Sequence, residues 1–202
     1  MLRHLATAFV FAGFVAVSAS AQNAPSTDPA SVQAGTYALE SNHARVLFSV
    51  SHMGFSTWYG DFYGATGTLS IDPKNPATAK LEVTIPVASV ATHNATLDGE
   101  LKSADWFDAG NFPAISFKST KVTVTGPKTA TVTGDLTFHG VTKPVTLEAS
   151  FKAAGTNPMS KAFTTGFEVK GKLKRSEFGV TKYVPLVGDE VELIISAPFE
   201  KK

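Results

Sequence analysis

The 202-residue sequence contains no cysteine. That excludes disulfides, thiol nucleophiles, zinc knuckles, iron–sulfur clusters and thioether-attached haem. Charge is also scarce, at 17% of residues, against about 25% in an average globular protein. The two signs nearly cancel, 18 Lys+Arg against 17 Asp+Glu. No basic field therefore exists to hold nucleic acid or an anionic surface. Nucleophile and nucleotide signatures are missing as well. There is no G-x-S-x-G elbow, no S-x-x-K with its partner motifs, no G-x-G-x-x-G after a strand and no G-x-x-x-x-G-K-[ST] loop. No H-E-x-x-H or H-x-H pair occurs, so a metal site would need several separate segments to converge. Asp61, Asp98, Glu100 and Asp105 could in principle supply paired carboxylates, but surface acids are the weightier reading. No catalytic residue is assigned.

What the sequence does contain is apolar: 43% hydrophobic residues, including 15 Phe. Those rings must be buried against each other or against a ligand. At the N-terminus, Met1-Leu2-Arg3-His4 precedes an uncharged run from Leu5 to Val17, and Ala19-Ser20-Ala21 follows it. This is the pattern of a cleaved secretory signal peptide over residues 1–21, with cleavage after Ala21 or Ala19. The apolar run is shorter than the roughly 20 residues that span a bilayer. Residues 1–21 hold one Arg and no acid, so the remainder is formally neutral. The expected location is a bacterial periplasm. Residues 22–34 show no periodicity and read as a flexible leader, leaving one domain over residues 35–202.

Within that domain the apolar residues recur at period two, the mark of strands. Val46-Phe48-Val50, Leu81-Val83-Ile85, Ile115-Phe117, Val122-Val124, Val132-Leu136-Phe138, Val145-Leu147-Phe151, Phe167-Val169-Leu173 and Val191-Leu193-Ile195 all alternate with polar neighbours. Turn formers separate them at 72–76, Gly126-Pro127, His139-Gly140, 155–158 and Gly188-Asp189. The expected class is all-β, an antiparallel barrel or sandwich of many short-looped strands. One segment departs from the pattern. Between 94 and 109, Leu97, Leu101 and Trp106 recur at near-helical spacing. Ser103 suits an N-cap and Gly99 interrupts, which predicts two short helical pieces closing one end like a lid. Gly60, Gly64 and Gly67 suggest strand curvature rather than a phosphate cradle. His52 ends the Val46-Phe48-Val50 stripe, so alternation points it the same way, toward a ligand's polar end or a buried carbonyl.

The order of several segments resembles the YceI-like family. The run from His43 to Gly54 (HARVLFSVSHMG) resembles its opening strand, and Gly60 to Gly67 (GDFYGATG) the next. Asp98 to Asp108 (DGELKSADWFD) with Phe112 to Ser119 (FPAISFKS) resembles its helical segment and following strand. Gly134 to Val145 (GDLTFHGVTKPV) resembles its hairpin, with Arg175 to Gly179 and Val187 to Val191 completing the set. Glu40, Glu100 and Trp106 stand where the family more often has Asp, His and Phe.

The resemblance implies an extended, lipocalin-like antiparallel β-barrel of about eight strands. It implies no covalent cofactor but a bound isoprenoid lipid, polyprenyl or isoprenoid quinone, held in an apolar lumen. Partners would be that lipid and a membrane or respiratory-chain donor or acceptor, with the protein a monomer or homodimer and no nucleic acid involved. Strand alternation together with the resemblance assigns the lumen to Phe48, Val50, His52, Phe62, Val83, Ile85, Leu101, Trp106, Phe117, Leu136, Phe138, Val145, Leu147 and Phe167. Two other readings compete. One is an enzyme acting on an apolar substrate inside the barrel, with His52 or an acid as general base. The other is a structural barrel whose interior is filled by its own side chains.

Overall fold

The computed structural model describes residues 24–202, so the signal-peptide assignment to residues 1–21 lies outside the described residues. Ten strands form a single antiparallel sheet: β1 Gly35–Leu39, β2 Arg45–His52, β3 Ser56–Phe62, β4 Thr66–Ile71, β5 Lys80–Pro86, β6 Ala114–Gly126, β7 Thr129–Phe138, β8 Val141–Thr156, β9 Phe163–Lys174 and β10 Val187–Lys201. Among the described residues one α-helix, α1, spans Ala95–Lys102.

The sheet closes because both β1 and β2 pair with β10, through Leu39↔Phe199 and Phe48↔Leu193 among others. In the same way β4 and β3 pair with β1 and β2. Each of these couples acts as one long strand with a kink, so the wall has eight strand positions. The chemistry of the kinks is local. The Glu40 carboxylate accepts the backbone N–H groups of Asn42 (2.9 Å) and His43 (3.1 Å) and also meets the His43 ring. Burial alone would raise its pKa, but those hydrogen bonds and the imidazole hold it below the ordinary carboxylate value. The second kink turns at Gly64, whose φ of 67° favours glycine. At the His139-Gly140 turn both residues have positive φ, 50° and 75°. This is the type I′ geometry whose twist matches a two-residue hairpin.

Alternation then fixes the interior. Inward-facing residues meet across the ladders as Val50↔Val191, Phe48↔Leu193, Ile85↔Ile115, Phe117↔Leu136, Val132↔Leu147 and Phe151↔Phe167. Outward positions carry Lys, Glu and Thr, among them the exposed pairs Lys118–Glu82 and Lys152–Glu168.

Four expectations are corrected. The first is the flexible leader. Its described part folds onto the barrel: Ser26 bridges Ala154, Asp28 caps a 3₁₀ turn at Pro29–Ser31, and Val32 is 5% exposed beside Phe151. One buried valine among polar residues has no periodicity to reveal it. The second is Ser103, which ends α1 rather than starting a helix. Asn94 is the N-cap, accepting from Thr96 and Leu97, and Gly99 lies inside a single helix. An Asn cap and a good first turn carry the helix through one glycine, which costs only about 1 kcal/mol relative to alanine. The third is Gly188-Asp189, which lies within β10, where the β2–β10 register shifts between Val187 and Val191. A bulge tolerates glycine as readily as a turn does. The fourth is His52, taken up below.

Candidate functional site

The barrel encloses an apolar cavity of about 370 Å³, within the range of roughly 300–1,000 Å³ typical of small-molecule pockets. On β6 its lining runs from Ile115 to Gly126, about 36 Å of strand at ~3.3 Å per residue. A strand tilt of about 40° reduces that to ~28 Å along the axis. Such a volume drawn over such a length is narrow, on the order of one hydrocarbon chain across.

Of the residues assigned to the lumen from sequence, Phe48, Val50, Phe62, Val83, Ile85, Leu101, Trp106, Phe117, Leu136, Phe138, Val145, Leu147 and Phe167 all line this cavity. His52 does not. The β10 register shift falls between Val50 and His52, and there the histidine sits edge-on to Trp58, with ring centroids 6.0 Å apart. The stripe it was read from ends one residue pair earlier.

The inward-facing Phe side chains, with the Leu, Ile and Val around them, would ordinarily fill so small a barrel. What keeps it open is glycine in the wall. A Cβ at Gly60 would lie 2.4 Å from Phe48, one at Gly134 2.5 Å from Phe117, and one at Gly171 2.4 Å from Leu147. The large side chains therefore lie against bare backbone of the neighbouring strand instead of projecting across the lumen. Gly60 had been read as a curvature residue. The pairing of each glycine with a large neighbour depends on cross-strand register, which a single sequence does not display.

One pole is plugged by aromatics. Leu101 at the end of α1, with Trp106 and Phe107 just after it, is buried. Phe107 packs on Phe62 and Phe138 at centroid distances of 6.0 and 5.3 Å, and Phe138 on Phe178 at 6.0 Å. The Trp106 indole N–H donates to Glu100 Oε1 at 3.1 Å, so two of the positions that depart from the family's usual residues satisfy each other. At the opposite pole the cavity reaches the surface beside the β6–β7 turn, where Val124, Pro127, Lys128 and Thr129 are both lining and exposed. Pro29 and Val32 of the leader cover part of that pole.

Arg175 was not assigned to the lumen from sequence, yet it lines the plugged pole at 5% exposure. It donates to the backbone oxygens of Gly188 (2.9 Å), Val180 (3.0 Å) and Val187 (2.8 Å), and its guanidinium lies 5.4 Å from the Trp106 ring centroid. Burial pushes its pKa down from the usual arginine value, opposed by the charge of Asp189. Asp189 in turn accepts from the N–H and hydroxyl of Ser176 at 2.9 and 2.8 Å. These bonds join the Arg175–Gly179 and Val187–Val191 segments, whose signal in the sequence lay in the two runs occurring together. The ionisable lining residues are Arg45, Lys128 and Arg175, all cations, so no carboxylate or histidine is placed there to act as a base. Among the described residues no cluster of His, Asp or Glu could hold a metal ion.

The model of the YceI-like domain matches residues 37–199, which is nearly all of this barrel. The chain belongs to the YceI-like family. Protein YceI of Salmonella arizonae is 43% identical over 157 residues, covering 78% of this chain and 81% of that protein. Among solved structures, BcnA of Burkholderia cenocepacia is 26% identical with a TM-score of 0.72, covering 79% of this chain and 98% of its own. The YCEI protein of Campylobacter jejuni is 30% identical with a TM-score of 0.65, covering 75% and 90%. A polyisoprenoid-binding domain from Saccharophagus degradans, implicated in plant cell wall breakdown, shares the fold at a TM-score of 0.64 and 13% identity. The lipocalin-like barrel expected from the family's motifs is thus the one this YceI-like chain adopts.

Proposed function

We propose that this YceI-like barrel binds one long isoprenoid lipid, a polyprenyl chain or an isoprenoid quinone, and carries it across the periplasm. The observation behind this reading is the shape and chemistry of the lumen: continuous, narrow and lined mainly by Val, Leu, Ile and Phe, with Ala and Pro among them. Each methylene-sized group moved from water into such a lining gains about 0.8 kcal/mol. Affinity then grows with tail length, while shape selects a linear chain over a fused-ring lipid. The polyisoprenoid-binding domain that shares this fold supports the same ligand class. A head group bearing oxygen acceptors would find Arg175 at the plugged pole. A guanidinium has five N–H donors, and the backbone acceptors of Arg175 are three.

The deciding experiment is mass spectrometry of organic extracts from protein purified out of its own periplasm. A stoichiometric isoprenoid is expected; a barrel that carries no lipid, or only acyl phospholipid, would refute the reading. Export rests on Arg3, the Leu5–Val17 run and Ala19-Ser20-Ala21. The intact mass of the periplasmic protein should begin at Gln22 or Ser20, and retention of Met1 in a membrane pellet would overturn export.

A further inference from the structure

We propose that the β2–β3 turn and residues 182–187 together form a bilayer-docking surface over the plugged pole of the lumen. The proposal rests on the lumen reading above for the ligand, and on separate observations for the surface.

The two segments are adjacent, because Met53 N–H donates to the Leu186 carbonyl at 2.7 Å. Together they expose Phe55 (90%), Leu186 (60%), Tyr183 (55%) and Met53 (51%). No charged residue occurs from His52 to Gly60 or from Tyr183 to Gly188. The flanking Lys182 is occupied by Asp105 at 2.9 Å. Two of these side chains are held in a backbone region that bulky residues rarely adopt, Met53 at φ 53° and Tyr183 at φ 61°. At Met53 the positive φ, followed by Gly54 at 72°, belongs to the hairpin turn closed by Phe55 N–H donating to the His52 carbonyl at 3.1 Å.

The surface is made of a hairpin tip and a loop, uncharged along both segments apart from Lys182. A fluid bilayer interface suits a protruding uncharged wedge, and tryptophan and tyrosine are the residues enriched at such interfaces. Trp58 and Tyr59 follow Phe55 three and four residues on in β3, and Tyr59 is exposed. The wedge also adjoins the plug that closes this pole of the lumen. Tyr183 packs edge-on to Trp106 at 6.1 Å, and Val187, next to Leu186, lines the cavity. An isoprenoid lipid resides in membranes, so a carrier must meet one.

The test is flotation of the full mature protein with zwitterionic phosphatidylcholine–phosphatidylethanolamine vesicles, at low and high salt. Wild type should float at both, because apolar insertion rather than charge holds it. The double variant Phe55→Ser/Leu186→Ser should lose vesicle partitioning by at least about tenfold. Met159→Ser should lose nothing. That residue is equally exposed, at 87%, but lies in the β8–β9 turn at the opposite pole. Failure of wild type to float, or an equal loss in Met159→Ser, would overturn the proposal. So would a dimer in analytical ultracentrifugation that the double variant abolishes while flotation persists. Lipid content measured on the same preparations separates the two readings. Normal lipid with lost flotation supports a docking surface distinct from the lumen, whereas normal flotation of lipid-free protein would overturn the lumen reading alone.

Discussion

Gly171 offers the sharpest test of an open lumen. A methyl group added there would stand 2.4 Å from Leu147 Cδ2, the far end of a flexible side chain, with the neighbouring Thr146 carbonyl at a comfortable 3.9 Å. Gly171→Ala therefore forces only Leu147 to move, and the place it can move to is the cavity. The rotation costs about 0.5–1.5 kcal/mol if it leaves a rotamer minimum. Replacing glycine within a strand returns about 0.5–1 kcal/mol. Net stability should change by less than about 1 kcal/mol. The ligand fares worse: a leucine side chain swung inward displaces about four methylene-sized groups of tail. At ~0.8 kcal/mol each this weakens binding by about 3 kcal/mol, on the order of a hundredfold. Gly134→Ala is the contrasting variant, because its methyl would lie 2.5 Å from the Lys118 carbonyl oxygen, which is backbone and cannot step aside. It should lose about 1–3 kcal/mol as an overpacked site. Urea midpoints and competition binding of a fluorescent polyprenyl analogue, measured on both variants, check this. If Gly171→Ala were as destabilised as Gly134→Ala while binding stayed unchanged, Leu147 would have no room, and the open-lumen account would be wrong.

Three further outcomes are expected. Arg175→Met removes the donor from three backbone carbonyls at the plugged pole. It should cost about 3–5 kcal/mol, a fall in Tm of roughly 6–20 °C by thermal circular dichroism; a fall of under a few degrees would show that water replaces the guanidinium. Asp189 is raised by burial, but the Ser176 hydrogen bonds and the Arg175 charge win and hold its pKa below the ordinary value. Its contribution is thus full above the unfolded pKa, about 3.9, and is lost as pH falls through the lower folded value. Asp189→Asn should flatten the stability curve in that acidic window and nowhere else. Deletion of residues 24–34 strips Val32 from its nest with Phe151 and uncovers one pole. It should destabilise by about 2 kcal/mol and speed ligand release in stopped-flow assays; an unchanged release rate would mean that the leader does not retain the ligand.

The β-class and most of the lumen were legible because both follow from period-two alternation, which burial of one face imposes on the sequence itself. Phe48, Val83, Leu136 and Leu147 needed nothing more. Whatever depends on who sits next to whom was hidden. Arg175 reads as one more strand-end cation until Val180, Val187 and Gly188 are seen to present their carbonyls to it. The wall glycines look like breakers until register sets Phe48 over Gly60. His52 keeps its place in the β2 alternation, but the cavity ends before it, and the Val187–Val191 slip in the partner strand could not be seen from the β2 sequence. The leader lacked any pattern because a single apolar anchor, Val32, suffices to fasten it.

The seam between β1 and β10 joins the two ends of the domain, with Tyr37 paired to Lys201. No partial chain can make that joint. As the chain folds, β1 must wait with one hydrogen-bonding edge open until β10 is in place, and the long loop closed at that moment makes the step entropically slow. Phe199, 3% exposed, is placed by the same event. Closure of this barrel thus waits on β10: removal of the β10 residues that pair with β1 leaves both edges free to pair with other molecules, and aggregation of unclosed barrels competes directly with closure.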